Sequence, residues 1–138
     1  NVIEVYEVGA RNDDVDPFKM IQRISTIEPD EKQRAAASGI EFSPDGNHLF
    51  VTNAGINTVI IYDVDKETGV LTPLFHCKTS GDYPKAVAVM PDNKHFIVLS
   101  HETDEIFIYN MNYEDCYFLQ DSRPIKIEQP NCIFIHKL

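Results

Sequence analysis

No run in this sequence approaches the ~20 consecutive apolar residues that a membrane-crossing helix needs. No basic-then-apolar leader opens the chain either. A membrane partner is therefore not expected. Positive charge is scarce: 12 Lys and Arg face 22 Asp and Glu, for a formal net charge of −10. That surplus repels a phosphate backbone and sets nucleic acid aside as a partner. It leaves room for an anionic small molecule, because one cation in a pocket outweighs a diffuse surface field. Cysteine is sparse as well. Cys77, Cys116 and Cys132 leave one thiol over in any disulfide scheme and show no CxxC spacing. Free thiols in a reducing cytoplasm are the expectation.

Motifs that would name a chemistry are missing too. There is no nucleophile elbow, P-loop or GxGxxG. The five histidines, His48, His76, His95, His101 and His136, lack zinc spacing. Asp63–Gly69 has the look of a calcium loop, which wants oxygen ligands at alternate positions, Gly sixth and Glu twelfth. Lys66 interrupts that pattern and Gly69 falls seventh, so a hairpin turn is the better reading. No metal and no cofactor are expected.

What the chain does contain is a repeat. Ile40-Glu41-Phe42-Ser43-Pro44-Asp45-Gly46-Asn47-His48-Leu49-Phe50-Val51 aligns with Val87–Val98, and Asn57–Val64 aligns with Asp104–Met111. A period of roughly 40–50 residues built from short β-type runs marks a propeller blade. Asn1–Val8 repeats Asn57–Val64, and Gln129–Ile135 repeats Tyr83–Val89. The expected fold is thus all-β, with blades of four antiparallel strands. A half-blade occupies 1–34, full blades occupy 35–82 and 83–128, and 129–138 is the opening strand of a closing blade.

Within the first full blade the strands are expected at Ser38–Phe42, His48–Thr52, Thr58–Val64 and Leu71–Cys77. In the second they are expected at Ala86–Val89, His95–Leu99, Glu105–Met111 and Cys116–Gln120. Ser43–Gly46 and Lys66–Gly69 carry turn residues between them. Helical periodicity is absent apart from a short turn at Asp30–Ala37, and Ile27–Arg34 reads as a charged loop between blades. About three blades of a ring that usually holds about four to eight leave apolar faces open. The remaining blades, or another copy of the chain, are needed to complete the fold.

Opening strands line a propeller's central channel, which places Ser38, Lys85 and Asn131 where a pocket would form. Lys85 is the candidate point charge for a phosphate or carboxylate. Asn53 and Ser100 are equivalent small polar residues at the end of a second strand. His101 lies just beyond that end, in a loop, where function concentrates. His48 and His95 hold one place in successive blades and read as structural.

Ala37–Gly46, Leu49–Gly55, Glu67–Thr72, Tyr83-Pro84-Lys85 and Pro130-Asn131-Cys132, in this order and spacing, resemble the lactonase family of seven-bladed propellers. That family includes the bacterial propeller-type 6-phosphogluconolactonases and fungal cycloisomerases acting on carboxymuconate. The resemblance covers nearly the whole chain and corresponds to the family's C-terminal part. It implies a cytoplasmic, cofactor-independent hydrolase opening a phosphorylated sugar lactone, with Lys85 as anion contact and Asn53 as a positioning group. Two alternatives stay open: a non-catalytic propeller scaffold binding a protein or carbohydrate, and a carboxymuconate-type cycloisomerase. The family's acidic and histidine site residues belong to earlier blades, so the resemblance assigns no catalytic base within this chain. Three positions depart from the family pattern. Its usual Asn-Arg-Gly reads Asn53-Ala54-Gly55, its Pro-Arg reads Pro84-Lys85, and its Asn-Gln pair reads Ser100-His101.

Overall fold

The computed structural model describes residues 1–9, 17–31 and 34–136. The strands are β1 (Val2–Val8), β2 (Phe18–Ser25), β3 (Ala36–Phe42), β4 (His48–Ala54), β5 (Thr58–Val64) and β6 (Leu71–Lys78). They continue with β7 (Pro84–Val89), β8 (His95–Ser100), β9 (Glu105–Asn112), β10 (Tyr117–Gln120) and β11 (Ile125–Lys126). There is no helix among the described residues. β1 and β2 form a two-stranded antiparallel half-blade, β3-β4-β5-β6 a four-stranded blade, and β7-β8-β9-β10 another. The expected partial propeller is the observed fold.

The apolar run Val59-Ile60-Ile61-Tyr62 explains how the blades stack. In a strand, successive side chains leave on opposite faces. Val59 and Ile61 therefore join Phe50, Val87, Phe96, Val98, Phe107 and Tyr109 in one core between the two full blades. Ile60 and Tyr62 turn the other way and pack, with Leu49 and Val51 of β4, against Ile3, Val5 and Ile24 of the half-blade. Both faces of β5 are buried, which is why its sequence lacks polar alternation.

A second set of ties crosses the same gaps. Tyr62 Oη donates to Ser25 O at 2.6 Å, and the equivalent Tyr109 Oη accepts from Ser80 N at 2.7 Å. Each tyrosine thus anchors the end of the preceding blade's fourth strand. Burial pushes the Tyr62 phenol well above its ordinary range.

Several expectations are corrected in detail. The fourth strand of the last blade is in two pieces, because Ile125–Lys126 also pairs with β9. Pro124 between them has no N–H for the ladder. Cys116 is a turn residue with φ 52° and lies just outside β10. No strand forms over 129–136. Ile133, Phe134 and Ile135 nonetheless lie beside β3 and β7, sharing an apolar cavity of about 310 Å³ with Phe42, Ala88 and Val89. The expected turn at 30–37 and loop at 27–34 both include residues 32–33, which lie outside the described residues. The expected opening strand likewise includes residues 137–138, which also lie outside them.

Candidate functional site at one end of the channel

β3 and β7 both begin with a bulge. Across β3–β4 the pairing steps from Ala37↔Asn53 to Gly39↔Thr52, and across β7–β8 from Pro84↔Ser100 to Ala86↔Leu99. The extra residues are Ser38 and Lys85. A bulge breaks the ladder locally and re-aims one side chain. The repeat puts Asn131 at the same place ahead of Cys132. The three residues assigned to the channel from sequence therefore mark three successive inner-strand starts.

Their surroundings differ. The Ser38 hydroxyl lies 3.2 Å from Thr52 O and 3.1 Å from Thr52 Oγ1, and it also bonds Pro84 O. It stitches β3 to the start of β7. Lys85 is half-buried, and its Nζ stands 5.4 Å from the centre of the Tyr83 ring. A cation over an aromatic face is attracted by the ring quadrupole within about 6 Å. The His101 ring approaches the same tyrosine, 6.2 Å between centroids at 57°. Its backbone N–H donates to Tyr83 O at 3.0 Å. His101 Nδ1 lies 3.3 Å from Pro130 O. A carbonyl only accepts, so that contact puts the proton on Nδ1 and leaves Nε2 of a neutral ring as the acceptor. Asn131 is exposed, and its Nδ2 donates to Gln129 O at 2.9 Å. Lys85 and His101 thus meet at Tyr83, and His101 links them to Pro130.

Asn53 does not join them. It is 0 % exposed, with Nδ2 donating to Thr26 O at 2.7 Å across the gap to the half-blade. Ser100, also 0 % exposed, makes the same kind of tie to Ser80 O at 3.1 Å. Asn53 braces neighbouring blades, and its side chain presents no surface to a solute. Ala54, standing where the family carries Arg, is buried as well.

Sequence reasoning missed Tyr83 as a site residue, together with the asparagine and aspartate that hold it. Tyr83 has φ 58°, and its N–H donates to Asn57 Oδ1 and to Asp82 Oδ1, each at 3.0 Å. The sequence signal was the residue before proline repeated at Tyr83-Pro84 and Gln129-Pro130, and the structure gives Gln129 a positive φ of 41° as well.

The opposite end of the channel carries the structural histidines. His95 Nδ1 lies 2.7 Å from Asp92 Oδ2. That bond, with the backbone N–H groups of His95 and Lys94, holds the Asp92 carboxyl down to about 2. His48 stacks on Tyr113 at 4.1 Å, and burial lowers its pKa despite the nearby Asp63 and Asp45. A cavity of about 330 Å³ lies between β1 and β3, lined among others by Val2, Thr26, Ser38 and Ile40. Lys85 lines neither it nor the apolar cavity beside Phe134. Among the described residues no group of three or more His, Cys, Asp or Glu side chains is arranged to hold a metal ion.

Known proteins agree with this architecture. A 6-phosphogluconolactonase of Bacillus subtilis is 22 % identical over 122 residues, which is 88 % of this chain. The chain spans only 35 % of that relative's length. A Bacteroides fragilis crystal structure, whose proposed assignment is 6-phosphogluconolactonase, superposes with a TM-score of 0.73 at 25 % identity. That match covers 86 % of this chain and 33 % of the other. The periplasmic gluconolactonase of Pseudomonas aeruginosa gives a TM-score of 0.79 at 18 % identity, over 95 % of this chain and 35 % of its own. The model of the family described as lactonase, seven-bladed β-propeller, matches residues 1–135, and this chain belongs to that family.

Proposed function

We propose that the propeller containing this chain hydrolyses a phosphorylated sugar lactone such as 6-phosphogluconolactone, with Lys85 holding the substrate's anionic group. Water adds to the lactone carbonyl, the ring C–O bond breaks, and the product is the open hydroxy acid. The observation that carries this reading is the half-buried Lys85 at a bulged inner-strand start, gathered with His101 around Tyr83 in a chain of the lactonase family. A lysine supplies a point charge with three rotatable donors, suited to a phosphate. His101 stands against the same Tyr83 ring, and in this reading its imidazole meets a substrate hydroxyl or a water. The free thiols of Cys77, Cys116 and Cys132 fit a reducing compartment, so we place the protein in the cytoplasm.

Two measurements test this. The intact, folded protein is expected to accelerate 6-phosphogluconolactone hydrolysis above its spontaneous rate, and no acceleration overturns the reading. Lys85→Ala is expected to raise KM by about tenfold or more, the worth of one charged hydrogen bond. An unchanged KM would remove Lys85 from the site.

A further inference from the structure

The first residue of each third-strand segment reaches forward to the next inner strand. Asn1 Oδ1 accepts from Ala37 N at 2.9 Å, ahead of Ser38. Asn57 Oδ1 accepts from Tyr83 N at 3.0 Å, ahead of Lys85. Asp104 Oδ1 accepts from Gln129 N at 2.9 Å, ahead of Asn131. The Lys85 and Asn131 junctions therefore carry the same latch, whereas at the Ser38 junction the bond falls one residue later, on Ala37, where the repeat has Pro84.

At the Lys85 junction the latch holds an unfavourable backbone. Tyr83 has φ 58° and precedes a proline, a combination that sterics disfavour for a bulky residue. Asn57 itself has φ 55°, a conformation asparagine tolerates better than most residues. Its amide works at both ends. Oδ1 takes the Tyr83 N–H, while Nδ2 donates to Asp82 Oδ1 at 2.7 Å. Asp82 Oδ1 in turn accepts from the same Tyr83 N–H at 3.0 Å. With the backbone so fixed, the tyrosine ring stands under Lys85 Nζ and beside His101.

We infer that Asn57 is a positioning residue for Lys85, acting through Tyr83: the Asn57–Asp82 latch sets the ring that holds the ammonium at the channel mouth. The inference rests on the reading of Lys85 as the anion contact, and extends it to a residue outside the site. The identity of the pair also matters. An aspartate at 57 would face the Asp82 carboxylate, whereas exchanging the two residues keeps one amide and one carboxylate in contact.

The test uses the intact protein and two readouts. In kinetics with 6-phosphogluconolactone, Asn57→Ala is expected to raise KM about threefold to tenfold, the range of a lost cation–π contact, with kcat little changed. The double variant Asn57→Asp/Asp82→Asn is expected to restore KM. The second readout needs no activity. After reductive ¹³C-methylation, the Lys85 methyl signal (assigned by its loss in Lys85→Arg) is expected upfield from the ring current of Tyr83. Tyr83→Leu and Asn57→Ala should abolish that shift, and the exchange variant should recover it. If Asn57→Ala lowers Tm but leaves both KM and the Lys85 signal in place, the asparagine is only structural and the inference falls. A Lys85 signal that follows the latch in a protein without lactonase activity would overturn the proposed function and leave the positioning role standing.

Discussion

Replacing Phe96 with alanine is expected to lower the free energy of unfolding by about 3–5 kcal/mol, the range for removing a fully buried aromatic. Phe96 is 0 % exposed and sits at the middle of the interface between the two full blades. Its ring lies 5.2 Å from Phe50 of the neighbouring blade, 5.0 Å from Tyr109 and 5.1 Å from Phe118, the last at 88°. Three aromatic neighbours from two sheets face the space the ring would vacate. Phe50 and Tyr109 are fixed by their own ladders, so the cavity cannot collapse, and the loss exceeds the transfer term alone. The check is the urea midpoint at constant slope. Phe96→Leu should recover more than half of the loss, because it refills most of the volume. A loss below about 1 kcal/mol for the alanine variant would mean the interblade face is not the core of this fold.

The blade repeat was legible because it is carried by local chemistry. Ser43-Pro44-Asp45-Gly46 forms the turn it resembles, with Gly46 N donating to Ser43 O at 2.8 Å and Gly46 at φ 71°. The apolar run of β5 was legible as a strand buried on both faces, and the structure adds which residue faces which neighbour. What the repeat does not carry is lateral. Asn53 stands at a strand end, as its place in the repeat says, but its partner Thr26 lies 27 residues earlier, just past the end of β2. No spacing within one blade reveals what packs across the gap.

The channel residues show the same limit from the other side. Ser38, Lys85 and Asn131 were found by their repeat equivalence. That Ser38 and Lys85 are the extra residues of bulges depends on the register against β4 and β8, which the repeat alone does not state. Asn1, Asn57 and Asp104 align in the sequence, yet a lone Asx residue before a strand reads as an ordinary turn residue. Only the distances to Ala37, Tyr83 and Gln129 turn that alignment into a latch. The segment at 129–136 is the inverse case. Its sequence is that of an inner strand, and no strand is formed over its described residues.

Gly55→Ala is the second large effect, expected at about 2–5 kcal/mol from a left-handed backbone plus a forced displacement. Gly55 has φ 79°, and a Cβ built there would stand 2.0 Å from Arg34 O and 3.1 Å from Arg34 C. Both are backbone atoms of the segment that leads into β3, so no side-chain rotation relieves the contact. Gly46 supplies the control. Its φ of 71° is nearly the same, but a Cβ there meets only Lys66 Cε at 3.8 Å. Gly46→Ala should therefore lose only the conformational part, about 1–2 kcal/mol. The difference between the two substitutions measures how tightly the turn after β4 is held against the lead-in to β3. That lead-in carries the Asn1 latch at Ala37 and, one residue on, the Ser38 bulge, so displacing Arg34 should also disturb the channel end of the blade. Equal losses for Gly46→Ala and Gly55→Ala would show that the two segments are free to separate, and the rigid placement of the inner strand at that end would be lost with them.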